Sequence, residues 1–235
     1  MAIKIIPADH NDAPRLVPIG IRAFKNDEIH SRLENLEGLT PAELDAHMQW
    51  RIARNIRRMA GPQDHWFQAI DTETGEPVGF TGIMGPEKEK PKDLSSSDAA
   101  TTELAMPACI DKEIHDMVGE TSDRLRKEYM GERDDYWCKF LNLTCDLFLT
   151  FMLTAFADLC SMAVDPECQG RGIGKLLLAE DCKRADQAGQ DIYLESTVAG
   201  KRLYQSAGFE SLGECKILDG TVAICPMLRK AKVQS

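Results

Sequence analysis

The stretch Val164 to Lys175, V-D-P-E-C-Q-G-R-G-I-G-K, constrains the fold of this chain more than any other. Gly170, Gly172 and Gly174 alternate after one apolar run, Leu159 to Val164, and before an apolar-periodic one, Leu176 to Ala188. That is the pattern of strand, tight loop and helix. Residues without side chains let the backbone turn several N–H groups to one point, where the helix macrodipole also favours negative charge. Such a loop binds an anion, most often a phosphate.

Spacing separates the kinds of phosphate loop. A nucleotide-triphosphate loop needs four residues between its first glycine and a Gly-Lys pair, then Ser or Thr. Here three residues separate Gly170 from Gly174, and Leu176 follows Lys175. A dinucleotide loop reads G-x-G-x-x-G, whereas this one reads G-x-G-x-G and lies in the second half of the chain. Glu195, 21 residues after Gly174, mimics the ribose-binding acid of that motif.

Gln169-Gly170-Arg171-Gly172-Ile173-Gly174 resembles the Q/R-x-x-G-x-G/A signature of the GNAT family of N-acetyltransferases. Met162-Ala163-Val164-Asp165-Pro166 before it is similar to that family's fourth strand and the turn leaving it. Leu203-Tyr204-Gln205-Ser206-Ala207-Gly208-Phe209 after it resembles the family's L-Y-x-x-x-G-F box. The resemblance covers residues 158–213 well, the first 85 loosely and 86–157 hardly at all. Glu195-Ser196-Thr197, followed by glycine and Leu-Tyr, resembles a subgroup common among fungal members. The resemblance implies an α/β (α+β) fold: a mixed, mostly antiparallel central sheet flanked by helices, with a helical insertion before the fourth strand. One domain, 1–235, with an insertion at about 86–157, is the expected organisation.

Composition agrees with one globular domain. The 235 residues suffice for one sizeable core. A net charge of −10 with no basic block argues against nucleic acid as partner and favours encounter with a cationic substrate. Eight cysteines show no C-x-x-C pair and no metal-ligand spacing with histidine, so no structural metal is expected, in a reducing compartment. Met1 to Ile6 is too short in apolar residues for a signal peptide and reads as a strand, which makes the cytoplasm the expected location. Phe140 to Ala157 approaches the length of a membrane span. Asp146, Asn142 and four threonines within it favour a buried helix or strand pair instead, or a dimer surface.

Along the chain, Asp9 to Asn11 offer caps for a helix over Leu16 to Phe24, kinked at Pro18. Thr40-Pro41-Ala42-Glu43 reads as a capping box opening a helix to about Met59, with Arg51, Arg54, Arg57 and Arg58 on a solvated face. Trp66 to Ile70 and Val78 to Ile83 read as a hairpin. After a polar linker at 86–98, a helical pattern covers about 100–130. Strand 158–164, the glycine loop, helix 172–188, strand 191–195, helix 198–206 and strands near 209–217 and 221–228 complete the expectation.

Acetyl transfer to an amine needs a held thioester, a base for the amine, donors for the developing oxyanion and an acid for the departing thiolate. The resemblance implies acetyl-CoA as cofactor, its pyrophosphate held by the backbone of Gln169, Gly170, Arg171, Gly172, Ile173, Gly174 and Lys175. Its pantetheine would lie along the strand edge at Met162, Ala163 and Val164, the same strand supplying an oxyanion donor. Tyr204 lies at the family's general-acid position. Asp158 falls where some members place a catalytic glutamate, with Glu195 as the second candidate base or a binder of the substrate cation. Thr197 stands where many members carry an asparagine against the pantetheine, and can cap the following helix. No cysteine is placed as a nucleophile, so direct attack on the thioester is the expected mechanism. O-acyl transfer and a non-catalytic acyl-CoA-binding or regulatory module are the alternatives.

Overall fold

The computed structural model describes residues 2–61, 63–86, 105–139 and 162–232. β1 (Ile3–Ala8) leads through a 3-10 turn capped by Asp9 into α1 (Ala13–Ala23), which runs unbroken across Pro18. A six-residue helix the sequence pattern missed, α2 (Glu28–Leu33), follows, capped by the Asp27 carboxylate. α3 (Pro41–Met59) begins at Thr40 with the expected capping box. β2 (Asp64–Asp71) and β3 (Pro77–Met84) form the hairpin. The helical pattern after the linker begins only at Lys112, because Asp111 caps α4 (Lys112–Met130) there.

β4 (Trp137–Lys139) is a strand inside the segment read as an insertion. β5 (Met162–Val164) precedes the loop, α5 (Ile173–Ala188) follows it, and β6 (Ile192–Thr197) runs two residues further than expected. α6 (Val198–Ser206) leads to β7 (Glu210–Ser211), β8 (Cys215–Ile217) and β9 (Val222–Arg229), so the strand expected near 209–217 is two short pieces. The run Phe140 to Ala157, Asp158 and the start of the strand expected at 158–164 lie outside the described residues.

Among the described residues the strands form one sheet in the order β1-β2-β3-β4-β6-β9-β7, with β5 also on β3 and β8 also on β9. Every pairing is antiparallel except β4 with β6. β4 and β5 occupy successive stretches of one β3 edge: Cys138 stands opposite Met84, and Met162 opposite Thr81. β4 and β5 therefore lie on one strand line beside β3. Strand alternation gives the sheet two apolar faces. Leu178, Cys182 and Ala185 of α5 pack on Ile83, Ile192 and Leu194, with Leu203 and Tyr204 of α6 beside them. Leu16 and Ile19 of α1 pack with Met59 of α3 on Trp66, Phe80 and Ala163. α2, α3 and α4 share a further cluster with β8 and β9 through Leu33, Trp50, Val118 and Ile224.

The arginines of α3 correct an expectation. Arg51 and Arg54 are buried, at 3% and 8% exposure, while Arg57 is exposed. Arg51 Nη1 bonds Glu34 Oε1 at 2.7 Å across the end of α2, and the Arg54 guanidinium lies 4.4 Å from the Trp50 ring centroid. A guanidinium goes inside where a carboxylate and an aromatic face replace its water.

Candidate active site

The loop is built as its glycines require. Gly170 and Gly172 adopt φ of 75° and 82°, which an L side chain rarely adopts, and Gly172 is the N-cap of α5 with no side chain bonding the first-turn N–H groups. Gln169 Nε2 donates to the Val164 carbonyl at 3.0 Å, and the Arg22 guanidinium of α1 bonds Asp165 at the strand's end. These two bonds tie the loop to β5 and α1.

β5 pairs with β3 along one edge, and among the described residues no strand pairs with its other edge. β6 is held by β4 lower down, so β5 and β6 separate above that pairing and open a cleft of about 1150 Å³. One end of it is lined by Met162, Ala163, Val164, Gln169, Gly170 and Gly172 to Lys175, and its side by Thr197, Gly200 and Tyr204. Arg171 is exposed and outside the lining. The other wall comes from the end of α1 and the start of α2, through Phe24, Asn26, Asp27, Glu28 and Ile29.

Two expected chemical groups meet this cleft. Tyr204 packs edge-on against Phe209, ring centroids 5.6 Å apart. A Cβ on Gly200 would stand 3.2 Å from the Tyr204 ring and 3.0 Å from Ser196 Oγ, so the missing side chain makes room for the phenol. Thr197 caps α6, its Oγ1 accepting from Gly200 N at 3.3 Å. Glu195 lines the cleft yet is only 5% exposed. Its Oε2 accepts from Ser122 Oγ of α4, and its Oε1 from the Tyr193 hydroxyl at 3.0 Å. Burial pushes this carboxyl up to about 7, the Ser122 and Tyr193 hydrogen bonds offsetting part of the desolvation. Asp158, the other candidate base, lies outside the described residues.

Sequence reading missed Asp27. Its Oδ1 accepts from the N–H groups of Ile29 and His30 at 3.0 and 3.1 Å, and lies 3.1 Å from His30 Nδ1. Burial pushes this carboxyl up, but the hydrogen bond and charge of His30 and the backbone donors outweigh it and hold the group below its ordinary value. The available signal was an Asp capping a helix, which Asp27 before Ile29 and Leu33 at helical spacing does carry.

The loop end suits a bulky polyanion. A Cβ built at Gly170 or Gly172 meets nothing within 4 Å, so the space over the loop is clear of protein. The helix N-terminus and Lys175 put positive potential there, and the β5 edge away from β3 lines the same cleft. The residues fit a phosphate-bearing cofactor with an amide-containing arm.

Residues 132–211 match the family model described as acetyltransferase (GNAT) domain. No curated protein matches the chain significantly by sequence. Among solved structures, one described as histone acetyltransferase HPA2 and related acetyltransferase, from Corynebacterium glutamicum, is 21% identical, with 100% of this chain and 99% of that chain covered at a TM-score of 0.57. The C-terminal condensation domain of Ebony, in complex with beta-alanyl-dopamine, is 11% identical over 98% of this chain and 100% of that chain, at a TM-score of 0.55. Both likenesses are of fold. No helix among the described residues is long and apolar enough to cross a membrane. The segment that matches the acetyltransferase (GNAT) domain model holds β5, the glycine loop and β6, the elements between which the sheet opens, and the fold of the whole chain is similar to that of solved acetyltransferases.

Proposed function

We propose that the protein transfers the acetyl group of acetyl-CoA to a primary amine of a small molecule or peptide by direct attack. The observation that carries this reading is the convergence on one cleft of the glycine loop, strand β5, Tyr204 and the buried Glu195 carboxylate. Acetyl-CoA supplies an acetyl group already activated as a thioester. Backbone N–H groups of Gln169 to Lys175 hold the pyrophosphate, and Met162, Ala163 and Val164 offer main-chain groups to the pantetheine arm, with Thr197 beside it.

A substrate ammonium has an ordinary pKa near 10.4, so the site must take up a proton before the amine is nucleophilic. Glu195, held at about 7, is ionised in part at neutral pH and accepts that proton at a carboxylate oxygen, directly or through one water. Tyr204 donates its phenolic proton to the departing sulfur. Asp27 and Glu28 on the facing wall give the acceptor end a negative field, which favours a cation approaching from solvent. Beta-alanyl-dopamine, in complex with the Ebony domain of similar fold, is an amide, which is compatible with amide formation on this fold.

The test is thiol release from acetyl-CoA, measured with a panel of polyamines, amino acids, aminoglycosides and peptides and with matched alcohols. Release that depends on an amine supports the proposal. Release with alcohols alone indicates O-acyl transfer, and tight acetyl-CoA binding with no release on any acceptor indicates a binding module; either result overturns it.

A further inference from the structure

Helix α4 lies outside the segment 132–211 that matches the family model, yet it reaches the carboxylate assigned above as the base. Ser122 sits on its sheet-facing side and is 2% exposed. A serine inside a helix ordinarily turns its hydroxyl back to a carbonyl of the preceding turn; this one donates across the interface to Glu195 Oε2. Tyr193, two residues before Glu195 on β6 and so on the same strand face, is fully buried and donates to Oε1. Both oxygens are therefore committed to fixed donors, one from each side of the sheet–helix interface, and the carboxylate keeps one orientation toward the cleft it lines.

We propose that Ser122 and Tyr193 are positioning residues that clamp Glu195 for proton transfer, so that α4 is a working part of the active site rather than a cover over the sheet. The inference rests on Glu195 being the base. Its physical content is that two donors favour the ionised carboxylate against the desolvation that opposes it. The other charged and titratable groups facing this point are Asp123 and Arg126 of α4, paired at 3.0 Å, with Cys138 of β4 and Tyr136 beside Tyr193. Arg126 favours the ionised form and Asp123 opposes it. The hydroxyls of Ser122 and Tyr193 therefore have a separable effect on the titration.

The test is a carboxyl-carbon NMR titration of the full chain carrying 13C-labelled glutamate, with Glu195 assigned by its loss in Glu195→Gln, alongside pH profiles of kcat/KM. Ser122→Ala and Tyr193→Phe are each expected to raise the Glu195 midpoint by roughly one pH unit, the free energy of one hydrogen bond to a charged group. The acid limb of kcat/KM should move up with it, while Ser122→Thr restores both readouts. Unchanged midpoints in both variants, or activity losses equal at every pH, overturn the clamp. Absence of amine-dependent turnover in the wild type instead overturns the assignment of Glu195 as base, whatever its midpoint does, so the two failures are distinguishable.

Discussion

At Asp27, one carboxylate oxygen is held by three nitrogens while no hydrogen bond to Oδ2 is found among the described residues. A carboxylate fixed this way is a charge aimed at whatever enters the cleft. Asp27→Asn keeps an oxygen to cap α2 and removes the charge, so it should raise KM for the amine about tenfold with kcat little changed, the effect of weakening one charge-assisted hydrogen bond to the substrate. Initial rates across amine concentrations check this. Glu195 carries a second prediction. Its folded pKa of about 7 lies above the ordinary 4.5, so its contribution to stability is fully present below 4.5 and is lost as pH rises through 7. The loss amounts to roughly 3 kcal/mol by linkage. Glu195→Gln should therefore raise the melting temperature relative to wild type above pH 7 and lose that advantage below pH 4.5, by thermal scans across pH. The places of Tyr204 and the glycines in the cleft were legible because the motifs that carry them span only a few neighbouring residues. The partners of Glu195 were not, since Ser122 stands 73 positions away and nothing local in α4 marks it.

Among the elements, α2 and α3 are joined through one buried carboxylate. Glu34 accepts from Arg51 at 2.7 Å, its second oxygen lies 3.4 Å from His47 Nε2, and its backbone bridges to Ile110 ahead of α4. Burial pushes Glu34 up, but the His47 hydrogen bond and the Arg51 and His47 charges outweigh it and hold the carboxyl at about 2. A depressed pKa contributes stability above 4.5 that is lost as pH falls toward 2. Removing the charge leaves Arg51 buried without it, so Glu34→Gln should cost about 3–5 kcal/mol at neutral pH in urea titrations, with the difference from wild type shrinking in acid. This ion pair is also why the arginines of α3 were misread. A run of arginines at helical spacing looks solvated until a carboxylate 17 residues away folds onto it. Capping chemistry, in contrast, is local: Thr40-Pro41-Ala42-Glu43 located the start of α3 to the residue.

For the molecule as a whole, the mixed sheet and its order of helices after Met162 were legible from alternation, glycines and the family signature. The fourth strand line was only half so. Its β4 portion is three residues long, too short for a periodicity, and becomes a strand only because β3 and β6 flank it. That flanking also makes the cleft: β4 fastens β6 to the sheet, and β5 parts from β6 beyond it. The proposed function divides the labour within the cleft, assigning the cofactor to the loop and β5 and the proton transfers to Glu195 and Tyr204. The most direct measurement of that claim is the single-turnover rate of acetyl transfer to the amine, with acetyl-CoA prebound at saturation, in the Glu195→Gln, Tyr204→Phe double variant. The division of labour predicts a rate lower by at least about a hundredfold, with acetyl-CoA affinity unchanged, since each proton transfer contributes on the order of a hundredfold or more. A transfer rate within about twofold of wild type would contradict it.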